Sequence, residues 1–231
     1  MKITNPFKSL KKVELFLWII SLMLVTVSFL IPEKKDYLTL IASLIGVTAL
    51  IFVSKGYVFG QILTVVFAVF YGIISWHFRY YGEMITYLCM TAPIAIMAVV
   101  SWIRHPYKKS KEVEVSTVSK LQLIVMLGLA VLVTAALYFI LRALNTANLI
   151  VSTVSVTTSF LAVYLTYLRS PYYALAYAAN DIVLIILWVL AGITNPAYYP
   201  MVICFFAFLL NDVYGFINWQ RMKKRQQSDG K

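Results

Sequence analysis

YYGEMITYLCMTAPIAIMAVVSWIR (80–104) recurs in outline as AYYPMVICFFAFLLNDVYGFINWQR (197–221), at an offset of 117 residues. Each stretch begins near a Tyr pair, continues as an apolar run and ends in Trp-x-Arg. The identical positions are Tyr81 and Tyr198, Met84 and Met201, Trp102 and Trp219, and Arg104 and Arg221. Because the neighbouring apolar runs align at the same offset, we interpret the chain as a duplicated membrane domain. Such repeats are typical of carriers whose binding site lies at the repeat interface.

The composition predicts a polytopic membrane protein. The chain is 61% hydrophobic and 13% charged, with a mean hydropathy of +0.83, whereas soluble domains carry about 25% charged residues. The net charge of +11 comes from Lys and Arg at the termini and in one loop. That distribution is typical of cytoplasmic segments beside a bilayer and argues against a nucleic-acid partner.

Motifs for catalysis are missing from the sequence. Cys89 and Cys204 lie in apolar runs without metal-type spacing, so we expect both to be buried and reduced. His77 and His105 fall on opposite sides of the membrane, and no phosphate-loop or nucleophile motif appears. The sequence therefore predicts no enzyme, no metal site and no cofactor.

Eight apolar runs are long enough to cross the membrane as helices, since a spanning helix needs about 20 apolar residues. They lie at roughly 14–31, 37–54, 57–77, 82–104, 119–142, 147–167, 171–192 and 197–219. With the N-terminus inside, only four of the 20 Lys and Arg fall outside: Lys34, Lys35, Arg79 and Arg142. The positive-inside rule therefore places both termini in the cytoplasm.

The offset superposes spans 2–4 on spans 6–8, with span 5 between the triplets and span 1 in front. Three spans plus one linker make an even number, so both triplets enter the membrane in the same direction. We therefore predict an all-α membrane protein of eight transmembrane helices arranged 1+3+1+3, with parallel repeats. The predicted segments are an extra helix (1–36), the first repeat (37–104), a basic loop with the linker helix (105–146), the second repeat (147–221) and a basic cytoplasmic tail (222–231).

Two acidic residues lie well inside predicted spans, Asp181 in span 7 and Asp212 in span 8, and each follows an asparagine. A bare carboxylate in hydrocarbon costs several kcal/mol, so such residues normally face a cavity, a partner or a substrate. Asn180-Asp181 and Asn211-Asp212 are therefore candidate substrate contacts. The alternative is hydrogen bonding between helices without any ligand.

Aromatic residues accompany these polar groups. Tyr173, Tyr177 and Asn180 share one helical face, and Trp188 follows on the same span. Aromatic rings beside amide and carboxyl groups suit a planar ligand that forms hydrogen bonds. In the first triplet, Gln61 and Thr64 lie on span 3, and Thr64 aligns with Asp181; simple helix packing is the alternative for Gln61.

The chain resembles the Pnu family of bacterial vitamin transporters along spans 2–8. The motifs that carry the resemblance are Gly60-Gln61, Tyr81-Gly82-Glu83, the aromatic span 7 with Asn180-Asp181, and the closing Tyr214-Gly215-x-x-x-Trp219. The resemblance implies a fold like that of SWEET sugar carriers, a vitamin site between the triplets and a bacterial cytoplasmic membrane. It also implies facilitated diffusion of nicotinamide riboside, with a cytosolic kinase that traps the substrate.

One departure from the family pattern leaves the substrate open. Family members show Trp-x-x-Trp-x-x-x-Asn in the substrate helix, where this chain has Tyr173, Ala176 and Asn180. Another nucleoside or vitamin, such as thiamine, riboflavin or a deoxynucleoside, is an alternative to nicotinamide riboside. Asp181 or Asp212 can balance the charge of a positively charged substrate, which favours a cation, but a carboxylate suits ribose hydroxyls equally well. A proton-coupled carrier, a non-transporting scaffold and a homo-oligomer also stay open.

Overall fold

The computed structural model describes residues 5–32, 37–77, 80–108 and 110–229. Eight long helices in these ranges are apolar enough to span a membrane, which confirms the predicted all-α membrane protein. They are α1 (Lys12–Leu30), α2 (Tyr37–Ser54), α3 (Val58–His77), α4 (Tyr81–Arg104), α5 (Lys120–Ala143), α6 (Leu149–Tyr167), α7 (Tyr173–Thr194) and α8 (Tyr199–Ser228). Several charged residues of the sequence analysis lie outside the described ranges: Lys2, Glu33, Lys34, Lys35, Asp36, Arg79, Lys109 and Lys231.

Local sequence explains where these helices begin and where one of them deforms. Ser119 caps α5, because its hydroxyl accepts from the Gln122 amide at 3.2 Å while the Gln122 side chain accepts from the Ser119 amide at 2.9 Å. Helix α4 widens into a π-helical turn over Thr86–Thr91. Pro93 follows at once, and its ring clashes with the carbonyl four residues back and supplies no N–H.

Two three-helix bundles, α2–α4 and α6–α8, form the body of the molecule. The first helix of each bundle packs against the last helix of the other, so α2 contacts α8 and α4 contacts α6. Helix α5 packs mainly on α6, and α1 packs on α2 and α8. Each triplet therefore contacts the other through its first and its last helix.

Residues that are 117 positions apart touch each other at two places. The Trp102 and Trp219 rings lie 5.4 Å apart between centroids. The Trp188 indole N–H donates to the Tyr71 hydroxyl at 3.2 Å. Both contacts join a residue of α2–α4 to a residue of α6–α8.

The two tryptophans of the first pair also make reciprocal hydrogen bonds. Trp102 donates to the Thr166 carbonyl at 3.0 Å, and Trp219 donates to the Val53 carbonyl at 2.9 Å. Each acceptor lies near the C-terminal end of the first helix of the opposite triplet. The indoles therefore fasten the triplets to each other at this end.

The connections α2–α3, α4–α5 and α6–α7 meet at the same end of the bundle, which we call the basic end. The Val113 amide donates to the Gly56 carbonyl at 2.9 Å, and the Ser116 amide donates to the Arg169 carbonyl at 3.0 Å. Gln226 on α8 accepts from the backbone of this loop. The other connections lie at the opposite end.

Helix α8 extends well beyond the predicted end of span 8. It continues to Ser228, so the predicted boundary at 221/222 falls inside a helix. Arg225 on this extension forms an ion pair with Glu112 of the α4–α5 loop, and the Gln226 side chain donates to the Val113 carbonyl at 3.1 Å. The tail thus holds the loop in place.

Gly56 and Gly60 allow close packing where α2 meets α3. Gly56 has φ +69, the left-handed conformation that a tight turn uses at little cost for glycine. A Cβ on Gly60 would lie 2.4 Å from the Val53 nitrogen. Any side chain at that position would push the two helices apart.

Helix α1 is tethered by a buried ion pair. Lys55 Nζ lies 2.7 Å from Glu14 Oε2, and the Tyr214 hydroxyl donates to Glu14 Oε1 at 3.1 Å. Glu14 and Lys55 thereby satisfy each other, and neither belongs to the cavity described below.

The two cysteines differ in their surroundings. Cys204 is free and buried, whereas Cys89 is free and exposed. The expectation that both are buried is therefore wrong for Cys89, because it lies on the π-helical turn with its side chain directed away from the bundle.

Candidate functional site

A narrow cavity lies between the two triplets, with walls from α2, α3, α4, α6, α7 and α8. Its volume is about 50 Å³, enough for a few waters at roughly 10–15 Å³ each. Pockets that hold drug-sized ligands measure about 300–1,000 Å³. A nucleoside therefore fits only if the helices or their side chains move apart.

Six of the nine predicted site residues line this cavity. They are Gln61, Thr64, Tyr177, Asn180, Asp181 and Asp212. The other three, Tyr173, Trp188 and Asn211, do not line it. The cavity therefore gathers polar side chains from α3, α7 and α8.

Asn180 is oriented by two hydroxyl groups of α6. Its Oδ1 accepts from the Thr158 hydroxyl at 2.8 Å and from the Ser159 hydroxyl at 3.0 Å. The acceptor end of the amide is thus occupied, and its NH₂ remains as a donor for a ligand. Thr158 and Ser159 thus hold the Asn180 side chain in place.

Asp181 and Asp212 form the most unusual feature of the cavity. Both carboxyls line the cavity and are 3% exposed. They lie within electrostatic range of each other, and Asp181 Oδ2 has no partner among the described residues. No Lys, Arg or His from the described chain lines the cavity. The cavity is therefore suited to a cation or to a ligand rich in hydroxyl donors.

Gln61 and Thr64 contribute differently from α3. The Thr64 hydroxyl donates to the Gly60 carbonyl at 3.0 Å, so toward the cavity it can only accept. Gln61 is 2% exposed, and its amide forms no hydrogen bond to another described side chain. Gln61 therefore keeps a full donor and acceptor set for a ligand.

Aromatic rings make up much of the remaining wall. Tyr177 comes from α7, while Tyr87, Phe67, Phe205 and Phe208 come from α4, α3 and α8. The sequence reasoning identified only Tyr177 among them. Aromatic residues at helical spacing in an apolar run look like ordinary core, so their place at a cavity shows only in the packing.

Tyr173 and Trp188 lie beyond the two ends of the cavity. The Tyr173 ring packs on Trp219 at 4.8 Å, at the basic end. Trp188 bonds to Tyr71 and packs 5.7 Å from Tyr198, at the opposite end. Helical periodicity groups these residues with Asn180, but it does not show their depth along the axis.

Asn211 points away from the cavity. Its Nδ2 donates to the Ser21 hydroxyl of α1 at 2.9 Å and to the Ala207 carbonyl at 2.8 Å. Successive helical residues point about 100° apart, so the neighbour of Asp212 faces α1. Hydrogen bonding between helices, the alternative stated above, describes Asn211.

Glu83 is a buried carboxyl that the sequence reasoning assigned to a helix end. It is 3% exposed, and Oε1 accepts from the Ser155 hydroxyl at 3.4 Å. Its Oε2 has no partner among the described residues. The sequence signal for Glu83 was its position four residues before Tyr87, which places both side chains on one face of a helix.

Comparison with known proteins identifies the family. Residues 36–221 match the family described as nicotinamide mononucleotide transporter. The nicotinamide riboside transporter PnuC of Neisseria mucosa is 24% identical over 213 residues, which cover 90% of this chain and 81% of the relative. The nicotinamide riboside transporter PnuC of Haemophilus influenzae is 25% identical over 211 residues, which cover 90% of each protein.

The fold has a solved counterpart as well. The crystal structure of the vitamin B3 transporter PnuC superposes with a TM-score of 0.81, at 24% identity, and covers 94% of each chain. The resemblance to Pnu transporters noted in the sequence is confirmed. The family match, over residues 36–221, leaves out α1 and the last residues of the tail. This multi-pass membrane protein therefore belongs to the nicotinamide mononucleotide transporter family, whose members are transporters and not enzymes.

Proposed function

We propose that this chain is a facilitator for nicotinamide riboside, which binds between two parallel three-helix repeats in a 1+3+1+3 arrangement. The observation that carries the proposal is the cavity between the triplets, where two buried carboxyls lie beside the Asn180 and Gln61 amides and aromatic rings. Both relatives named above are nicotinamide riboside transporters.

The chemistry of the cavity fits the parts of this substrate. The nicotinamide ring carries a positive charge, which the Asp181–Asp212 pair balances, and it can stack on Tyr177. The Asn180 NH₂ and the Gln61 amide supply hydrogen bonds to the ribose hydroxyls or the carboxamide. Thr64 accepts one further hydrogen bond from a hydroxyl.

The same chemistry favours the riboside over the mononucleotide. A phosphate group would bring negative charge next to Asp181 and Asp212, and no Lys or Arg of the described chain lines the cavity to balance it. Burying an unpaired charge is strongly unfavourable. The family's description names the mononucleotide, but the site suits the substrate without phosphate.

The pair Tyr71–Trp188 and the pair Trp102–Trp219 are the elements that we expect to open in turn. Each joins the two triplets at one end of the cavity, so rocking of one triplet against the other separates one pair at a time. Transport by this movement needs no coupling ion, and a cytosolic kinase traps the transported nicotinamide riboside.

We place the basic end and both termini in the cytoplasm of a bacterial cell, because the basic residues collect there.

Uptake of labelled nicotinamide riboside into proteoliposomes tests the proposal. The wild-type protein should show saturable uptake, and Asp181→Asn should lower kcat/KM by about tenfold or more, because the buried counter-charge is lost. Asp229→Asn, in the tail outside the cavity, is the matched control and should behave as wild type. Uptake at the level of empty vesicles, or equal behaviour of both variants, would contradict the proposal.

The two buried carboxyls on one cavity favour one second candidate, a carrier that exchanges protons. A proton bound by Asp181 or Asp212 would leave when a cationic substrate binds. Such a carrier accelerates uptake when a pH gradient is imposed. Uptake that is indifferent to the gradient excludes this candidate and leaves the facilitator.

A further inference from the structure

A row of polar side chains on α4 leads out of the cavity toward the end opposite the basic end. We call it the α4 lane; it consists of Glu83, Thr86, Tyr87 and Thr91. Tyr87 and Thr91 line the cavity, and Glu83 lies one helical turn, about 6 Å, further along the axis. The lane therefore connects the cavity with the α3–α4 connection.

The α4 lane holds polar atoms that the protein leaves unsatisfied. Glu83 Oε2, Thr86 Oγ1 and Thr91 Oγ1 are buried and have no partner among the described residues. Most buried polar groups in proteins do have a partner, since an unpaired one costs free energy. Three unpaired groups on one helix leave hydrogen-bonding capacity for a polar ligand or for water.

The backbone of the lane is also irregular. The π-helical turn Thr86–Thr91 occupies most of it, and such turns are frequent at functional sites. The wider turn alters the direction of the side chains from Thr86 onward. Glu83 and Thr91, eight positions apart, therefore both belong to the α4 lane.

The Glu83 carboxyl has no cationic partner among the described residues. Its hydrogen bond to Ser155 is long, at 3.4 Å, and Lys55, the buried lysine, is paired with Glu14. The Tyr87 hydroxyl lies within electrostatic range of both Glu83 and Asp181. Both carboxyls therefore lie near Tyr87, Asp181 at the cavity and Glu83 beyond it.

Glu83 also lies close to the aromatic closure of this end. The Tyr71 hydroxyl is within electrostatic range of Glu83, and the Tyr71 ring packs 4.3 Å from the Tyr87 ring. A ligand that passes the Tyr71–Trp188 pair therefore meets Glu83 before it reaches Asp181.

We propose that Glu83 forms a second binding station for a cationic substrate, between the Tyr71–Trp188 closure and the cavity, and that it selects cationic over neutral nucleosides. This inference rests on the proposed function. Ser155 positions the carboxyl, while Thr86 offers a hydroxyl to the passing ligand. The station is distinct from the cavity because Glu83 does not line it.

The test compares two substrates of similar shape and different charge. Nicotinamide riboside is a cation, and its dihydro form is neutral. In proteoliposomes, Glu83→Gln should raise KM for the cation by about tenfold, as expected for loss of a buried charge contact, and leave uptake of the dihydro form within about twofold, since a neutral ligand gains little from the carboxylate. Glu83→Asp keeps the charge and should keep the preference for the cation. Glu114→Gln, in the exposed part of the α4–α5 loop, should match wild type for both substrates.

The outcomes separate this inference from the proposed function. Equal losses for both substrates, or no change for either, contradict the role of Glu83. Loss of the cation preference in Glu83→Asp contradicts it as well. If the wild-type protein takes up the dihydro form but not the cation, the proposed substrate is wrong.

Discussion

At the scale of single residues, the two asparagines that precede the buried aspartates have different surroundings and should respond differently to removal. Asn180 offers its NH₂ to the cavity while α6 holds its Oδ1. Asn211 instead binds Ser21 of α1. The pair therefore provides an internal comparison of a ligand contact with a helix contact.

We expect Asn180→Ala to raise KM for nicotinamide riboside by about tenfold, since a buried hydrogen bond to a ligand is worth about 1–1.5 kcal/mol. Asn211→Ala should leave KM unchanged and lower the free energy of unfolding by about 1–3 kcal/mol, because Ser21 loses its partner. Uptake kinetics and thermal unfolding of the two purified variants measure both effects. A higher KM in Asn211→Ala than in Asn180→Ala would show that the assignment is reversed.

Prediction from sequence succeeds at this scale where a residue type is rare in its setting. Asp181 and Asp212 stand out because carboxyls inside apolar spans are expensive. Glu83 is just as buried but lies two residues after the first residue of α4, so the sequence alone assigned it to a helix end. The aromatic wall was missed for the opposite reason, since Phe205 and Phe208 look like any membrane helix core.

At the scale of helices, α4 and α7 carry the two features that we connect with movement. The π-helical turn of α4 lies beside the cavity, and Trp188 of α7 covers the end opposite the basic end. Cys204 is buried, and its thiol is within electrostatic range of Asp181. The reactivity of this thiol therefore reports whether water-soluble reagents reach this part of the molecule.

Trp188→Ala should therefore increase the rate at which a small water-soluble thiol reagent modifies Cys204, because the indole that covers the cavity is removed. The experiment uses a Cys89→Ser background, since Cys89 is exposed. Trp188→Phe keeps a ring at this position and should stay close to the parent protein. An unchanged rate in Trp188→Ala would mean that Trp188 does not close this end.

Helix limits were predicted well where the end of an apolar run sets the limit, and poorly where polar contacts extend the helix. The observed limits of α2, at 37–54, equal the predicted ones. The continuation of α8 to Ser228 was not predicted, because its last turns are polar and are held by Glu112 and Val113 of a distant loop. Pro93 marked α4 as irregular, but not the π-helical form of the irregularity.

At the scale of the whole molecule, the sequence offset of 117 residues recurs in the contacts between the two triplets. Tyr71–Trp188 and Trp102–Trp219 are both 117 residues apart in sequence and in contact in space. The offset was visible in the sequence, but the contact of equivalent residues was not, since it depends on how the triplets face each other. The two triplets also differ at the cavity, where Thr64 occupies the position equivalent to Asp181 at this offset. The second triplet thus supplies both carboxyls of the cavity.

The most direct test of the account is a crystal structure of the protein with nicotinamide riboside bound. We expect the nicotinamide ring between the triplets, against Tyr177 and beside the Asp181–Asp212 pair, with Asn180 and Gln61 bound to the ribose or the carboxamide. We also expect the cavity to be wider than its present volume of about 50 Å³. A substrate found outside the space between the triplets, with no contact to Asp181 or Asp212, would contradict the central claim.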